Sequence, residues 1–155
     1  MTALDAYRTT MAAKVSPLLF LVKAVAGVLR AFPTFNASLL PDGKTLVLKH
    51  YFHVGIAVDG PLGLLVPVLR DVDRKNLATL AAELADFTAM ARDKGLPMDV
   101  MSGGCITISS LGGIGGTSFT PIINQPEVAI LGVTPTRTVA AWDGMSFVPR
   151  KEMTL

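Results

Sequence analysis

The chain has 155 residues, 50% of them apolar and 17% charged, with a formal net charge of +2. That balance excludes a disordered or tail-like protein, which carries too little apolar surface to offset chain entropy. The small charge, with Lys and Arg scattered and no basic stripe, excludes a nucleic-acid footprint. A domain of this length removes roughly 68–70% of its unfolded surface from water, and the apolar excess beyond one small core points to a membrane or to a large buried subunit interface.

In chain order, Leu4 to Lys14 predicts a short helix. Ser16 and Pro17 then supply an N-cap and a proline at the first helical position, and a second helix runs to Phe32, before Pro33. Its apolar residues, from Leu18 to Leu29, recur at helical spacing and predict burial on most sides. This is the most apolar stretch of the chain, yet Lys23 and Arg30 interrupt it, and it falls short of the roughly 18–20 uncharged residues a membrane span needs. The interface reading of the apolar excess remains.

Ala37 to Leu40 and Thr45 to Lys49, joined at Asp42 and Gly43, predict a hairpin. His53 to Val58 and Leu64 to Leu69 are apolar runs without polar alternation, as expected of strands covered on both faces. Asn76 to Lys94 returns to helical spacing and stops at Gly95 and Pro97. Cys105 to Ser109 predicts a strand that leads into the glycines 112, 113, 115 and 116, where bare backbone can approach a ligand closely. Glu127 to Val133 predicts another strand, and Thr138 to Trp142 turns through Asp143 and Gly144 into Met145 to Val148 as a second hairpin. Met153 to Leu155 reads as the beginning of a further strand.

The chemically suggestive residues are few. His50 and His53 stand three apart, an odd offset that sends them to opposite faces of a strand, and no nearby Cys or Glu completes a metal set, so no metal site is expected. Cys105, the single cysteine, reads as a small core residue, excludes an internal disulfide and fits a reducing cytoplasm; Met1 opens no signal-peptide pattern. The glycine segment has no Gly-Lys-Ser/Thr, and Ser118 breaks the dinucleotide fingerprint at its third glycine. Thr107, Ser109 and Ser110 beside bare backbone leave two readings open, a tight turn or a cleft.

Longer motifs separate these readings. Thr107-Ile108-Ser109-Ser110-Leu111-Gly112, Gly115-Gly116-Thr117, Phe119-Thr120-Pro121-Ile122-Ile123-Asn124 and Pro126-Glu127-Val128-Ala129-Ile130-Leu131-Gly132-Val133 follow one another. Upstream stand Pro33-Thr34-Phe35-Asn36-Ala37-Ser38-Leu39, Val54-Gly55-Ile56-Ala57-Val58-Asp59 and Gly63-Leu64-Leu65-Val66-Pro67-Val68, and downstream Trp142-Asp143-Gly144. Together they closely resemble the catalytic domain of the dihydrolipoyl acyltransferases of 2-oxo acid dehydrogenase complexes, over nearly the whole chain. Within that family they look most like the acetyltransferases of bacterial pyruvate dehydrogenase complexes.

The resemblance implies an α/β fold, an α+β two-layer sandwich with a mixed sheet and helices on one face, similar to chloramphenicol acetyltransferase. It implies homotrimers within a higher core assembly, with the site at a subunit boundary. Acetyl passes there from a dihydrolipoyl-lysine thioester, on a lipoyl arm carried by a separate domain, to coenzyme A; the dehydrogenase components are further partners. Neither nucleic acid nor membrane is expected as a partner. Ser109 matches the serine that donates to the oxyanion, and Ser38 and Ser110 match positions near the coenzyme. The family's general base lies in a His-x-x-x-Asp-Gly motif that neither His50 nor His53 occupies. Residues 1–155 are therefore expected to be a partial catalytic domain without its histidine, inactive alone, poorly soluble, and alternatively a non-catalytic core subunit. A free small-molecule acetyltransferase is the weaker alternative, because such enzymes need the same histidine.

Overall fold

The structure is a computed structural model that describes residues 1–11, 15–61, 63–93, 95–112 and 115–155. Its first helix, α1 (Thr2–Thr9), is shorter than the sequence predicts. The hydroxyls of Thr9 and Thr10 donate to the carbonyls of Ala6 and Tyr7, both at 2.7 Å. Such local bonds compete with the helical ladder. Residues 12–14, the last three of the predicted helix, lie outside the described residues.

The next helix, α2 (Pro17–Ala31), starts where its sequence predicts, with Ser16 Oγ accepting the Leu18 N–H. It buries Leu19, Val22, Val25, Ala26 and Leu29 as one stripe. Lys23 leaves that stripe, and its Nζ donates to the carbonyls of Val72, Asp73 and Lys75 at 2.7, 3.0 and 2.9 Å. No helix among the described residues is long and apolar enough to cross a membrane.

Strands β1 (Ala37–Leu39) and β2 (Leu46–Leu48) form the predicted antiparallel hairpin. Asp42 Oδ1 accepts the N–H groups of Lys44 and Thr45 at its turn. The two apolar runs that follow are each divided, giving β3 (Val54–Ile56), β4 (Val58–Gly60), β5 (Gly63–Leu65) and β6 (Val68–Leu69). Only β3 and β6 are buried throughout; β4 and β5 pair in a separate, partly exposed ribbon. Pro67 has no N–H to give the ladder, which divides the second run.

Helix α3 (Leu77–Asp93) buries Leu80 and Ala91 and packs Leu77, Ala81, Leu84 and Phe87 against the core; Lys94 lies outside the described residues. Next come β7 (Ile106–Ser110) and β8 (Ile130–Val133). β7 starts one residue later than the sequence predicts, and β8 starts three later, because the N–H of Glu127 closes a turn on the Asn124 carbonyl instead of joining the ladder. The last hairpin, β9 (Arg137–Trp142) and β10 (Phe147–Glu152), is longer than predicted. Met153 to Leu155 begin no strand; Thr154 instead exchanges hydrogen bonds with Thr134.

The central sheet has the order β6-β3-β7-β8, with β3 and β6 antiparallel and β3, β7 and β8 parallel. It is the mixed sheet the resemblance implies. Val54, Ile56, Ile106 and Ile108 join Leu19, Val22, Leu29 and Leu80 in one core between the sheet and the helices. Strand alternation sends Gly55, Thr107 and Ser109 to the other face.

Candidate active site

Ser109 stands near the end of β7, the strand between β3 and β8, on the face turned away from the helices. Ser110 alternates to the helix side, where it lines a cavity of about 300 Å³ with Ser16, Leu18, Leu21, Thr134 and Met153. Its Oγ accepts the Gly112 N–H at 3.3 Å. Ser38 lies on β1, outside the central sheet, with its Oγ buried and unpartnered among the described residues. The three serines singled out by the sequence thus occupy two faces of one sheet and a separate hairpin.

Side-chain volume is sparse beside Ser109. Its register partner on β8 is Gly132. A Cβ at Gly132 would lie 3.1 Å from the Phe119 ring and 3.3 Å from Pro121 Cδ, so the segment around these residues closes over that glycine. One step down the same face, Thr107 pairs in register with Gly55 and donates its hydroxyl to Glu127 Oε1 at 3.0 Å. Glu127 is 7% exposed. Burial pushes its carboxyl above the usual carboxylate range, against the Thr107 hydrogen bond and the charge of Lys49, which pull it down. Lys49 Nζ itself donates to the Gly104 carbonyl at 2.9 Å. Glu127 was not among the candidate residues of the sequence; an acid inside the apolar run after Pro126 was its only signal.

Cys105 is buried, as a core residue should be, and burial pushes its thiol up. His50 and His53 lie outside the strands, so strand alternation does not set their directions. His50 is exposed, whereas His53 Nδ1 accepts the Asp71 N–H at 3.0 Å. Among the described residues no group of three or more His, Cys, Asp and Glu is placed to hold a metal. In the glycine segment, Gly115 and Gly116 adopt φ of +92° and +105°, conformations that favour glycine; residues 113 and 114 lie outside the described residues.

Residues 1–155 match the family described as 2-oxoacid dehydrogenases acyltransferase (catalytic domain). The chain belongs to this family. It is 54% identical, over 96% of its length, to the dihydrolipoyllysine-residue acetyltransferase component of the pyruvate dehydrogenase complex of Pseudomonas aeruginosa, and 52% identical, over 96%, to that of Azotobacter vinelandii. It spans only 28% and 24% of those two family members.

Among solved structures of the family, the Azotobacter vinelandii dihydrolipoamide acetyltransferase superposes with a TM-score of 0.92 at 50% identity, covering 98% of this chain and 65% of that one. That structure was determined to examine a serine, a histidine and an asparagine in the catalytic mechanism. The cubic core of a pyruvate dehydrogenase multienzyme complex superposes with a TM-score of 0.91, also at 50% identity and over the same shares. At this identity and coverage the acyltransferase fold is shared.

Proposed function

We propose that this chain carries the oxyanion-binding part of a site that transfers acetyl from a dihydrolipoyl-lysine thioester to coenzyme A, in the cytoplasm and within a trimer-based core. The observation that carries the reading is the match of the whole chain to acetyltransferase components at about half identity, with Ser109 near the C-terminal end of a central strand. That a serine was among the residues studied in the mechanism of the Azotobacter enzyme supports the same assignment.

In the proposed step the coenzyme A thiol loses its proton and its sulfur bonds to the acetyl carbonyl carbon. The carbonyl oxygen takes up the negative charge, and the Ser109 hydroxyl donates a hydrogen bond to it. Collapse restores the carbonyl and breaks the bond to the dihydrolipoyl sulfur, which leaves as a thiolate and is protonated. A base must accept the first proton. Neither His50 nor His53 stands in the His-x-x-x-Asp-Gly motif in which the family carries its base. His50 is exposed after β2. The reading therefore assigns the base to a histidine outside these 155 residues. Ser38 and Ser110 are assigned to coenzyme A, and the lipoyl arm and the dehydrogenase components are its partners.

The test is acetyl transfer by the complete protein that contains this chain. Ser109→Ala is expected to lower kcat by about 10²–10³, as loss of one oxyanion donor does elsewhere, with the KM for coenzyme A nearly unchanged. An unaltered kcat would remove Ser109 from the mechanism.

A further inference from the structure

On the Ser109 face of the central sheet lies one buried acid that the transfer step does not use. Glu127 Oε1 accepts the Thr107 hydroxyl, and Oε2 is buried without a partner among the described residues. Room for the pair is made by two glycines on separate segments. A Cβ at Gly104 would fall 2.6 Å from Glu127 Oε1, and one at Gly55 would fall 2.8 Å from Thr107 Oγ1. Neither glycine has positive φ, so space and not backbone conformation calls for glycine there.

Thr107 stands two residues before Ser109 on the same face of the same strand. Phe119 and Pro121 close over Gly132, the register partner of Ser109, while Glu127 ends the same segment in a turn on the Asn124 carbonyl. The segment from Phe119 to Glu127 is thus pinned to this face at both ends, at Gly132 and at Thr107.

We propose that Glu127 is a positioning residue for Ser109: its hydrogen bond with Thr107 latches the segment 119–127 to β7 and fixes the strand from which the Ser109 hydroxyl projects. The effect on rate rests on the acetyl-transfer reading; the effect on structure does not. Burial favours the uncharged acid, and Lys49 is engaged by the Gly104 carbonyl instead of the carboxyl. Glutamine imitates that uncharged acid, so Glu127→Gln keeps the latch, whereas Glu127→Ala and the isosteric Thr107→Val remove it.

Amide hydrogen exchange of this chain, with kcat and KM of the complete protein, tests the proposal. Thr107→Val and Glu127→Ala are each expected to speed exchange at residues 107–110 about tenfold, the scale of one lost hydrogen bond, without a matching change in α2. In the complete protein both lower kcat about tenfold with the KM for coenzyme A unchanged, and Glu127→Gln restores kcat. Should Glu127→Ala fail to fold, Thr107→Val and Glu127→Gln carry the comparison. Unaltered exchange at 107–110 in Thr107→Val, acceleration spread evenly over the chain, or local acceleration with unchanged kcat would each overturn the proposal. Local acceleration in Thr107→Val, together with a complete wild-type protein that transfers no acetyl, would sink the acetyl-transfer reading and leave the latch supported.

Discussion

Glu127 and the turn aspartates titrate in opposite senses, which makes them separable by pH. The Thr45 hydroxyl and the N–H groups of Lys44 and Thr45 hold the Asp42 carboxyl below its ordinary value, and the N–H groups of Ser146 and Met145 do the same for Asp143. Stability from these two is present above the unfolded aspartate value and is lost as pH falls through the lowered folded one. For Glu127, raised by burial, the sign reverses: stability is fully present below the unfolded glutamate value and declines as pH rises toward the raised folded one. The stability of Glu127→Gln relative to the wild type is therefore expected to rise from acid toward neutral pH. Urea unfolding midpoints of both proteins across that range check it, and a difference that does not vary with pH would contradict a raised carboxyl. Ser109 and Ser110 facing opposite ways was legible, because strand alternation alone separates adjacent residues. Glu127 was not legible, because its burial depends on Gly104, 23 positions away in sequence.

At the scale of elements, caps and turns are legible because their signals are local: Ser16 before Pro17, Asp42 and Gly43, Asp143 and Gly144. The division of one apolar run is marked in the sequence by Pro67; in the other, Ala57 continues an apolar stretch and only pairing with β6 and β7 shows where the ladder changes partner. In the sequence Lys23 only interrupts an apolar stretch, yet its ammonium ties α2 to the loop that leads into α3. Three carbonyls converge on it, and Lys23→Met keeps most of the stem while removing the donor. We expect a loss of about 1.5–3 kcal/mol, the scale of hydrogen bonds made to a charged group, measured by urea unfolding. An unchanged midpoint would mean that water replaces the ammonium at no cost.

For the whole molecule, the apolar excess in the composition reappears as surface. In β2, Leu46, Val47 and Leu48 are 43%, 44% and 45% exposed, so neither face of this strand is covered, and Leu39 of β1 is 53% exposed beside it. The β9–β10 hairpin adds Trp142 and Phe147, stacked edge-on at 5.3 Å and both exposed. A two-stranded hairpin is at best marginally stable on its own, and an apolar surface of this kind is expected to be covered by association. Leu46 and Leu48 lie on one face of β2, so Leu46→Glu with Leu48→Glu places two charges on that face without touching the core between the sheet and the helices. Sedimentation velocity over a concentration series is expected to show the wild-type chain as an oligomer and the double variant as a smaller species with the same circular dichroism. A wild-type chain that sediments as a monomer at every concentration would remove association as the explanation of its apolar surface. An oligomer insensitive to the two charges would move the contact away from β2 and toward the β9–β10 hairpin.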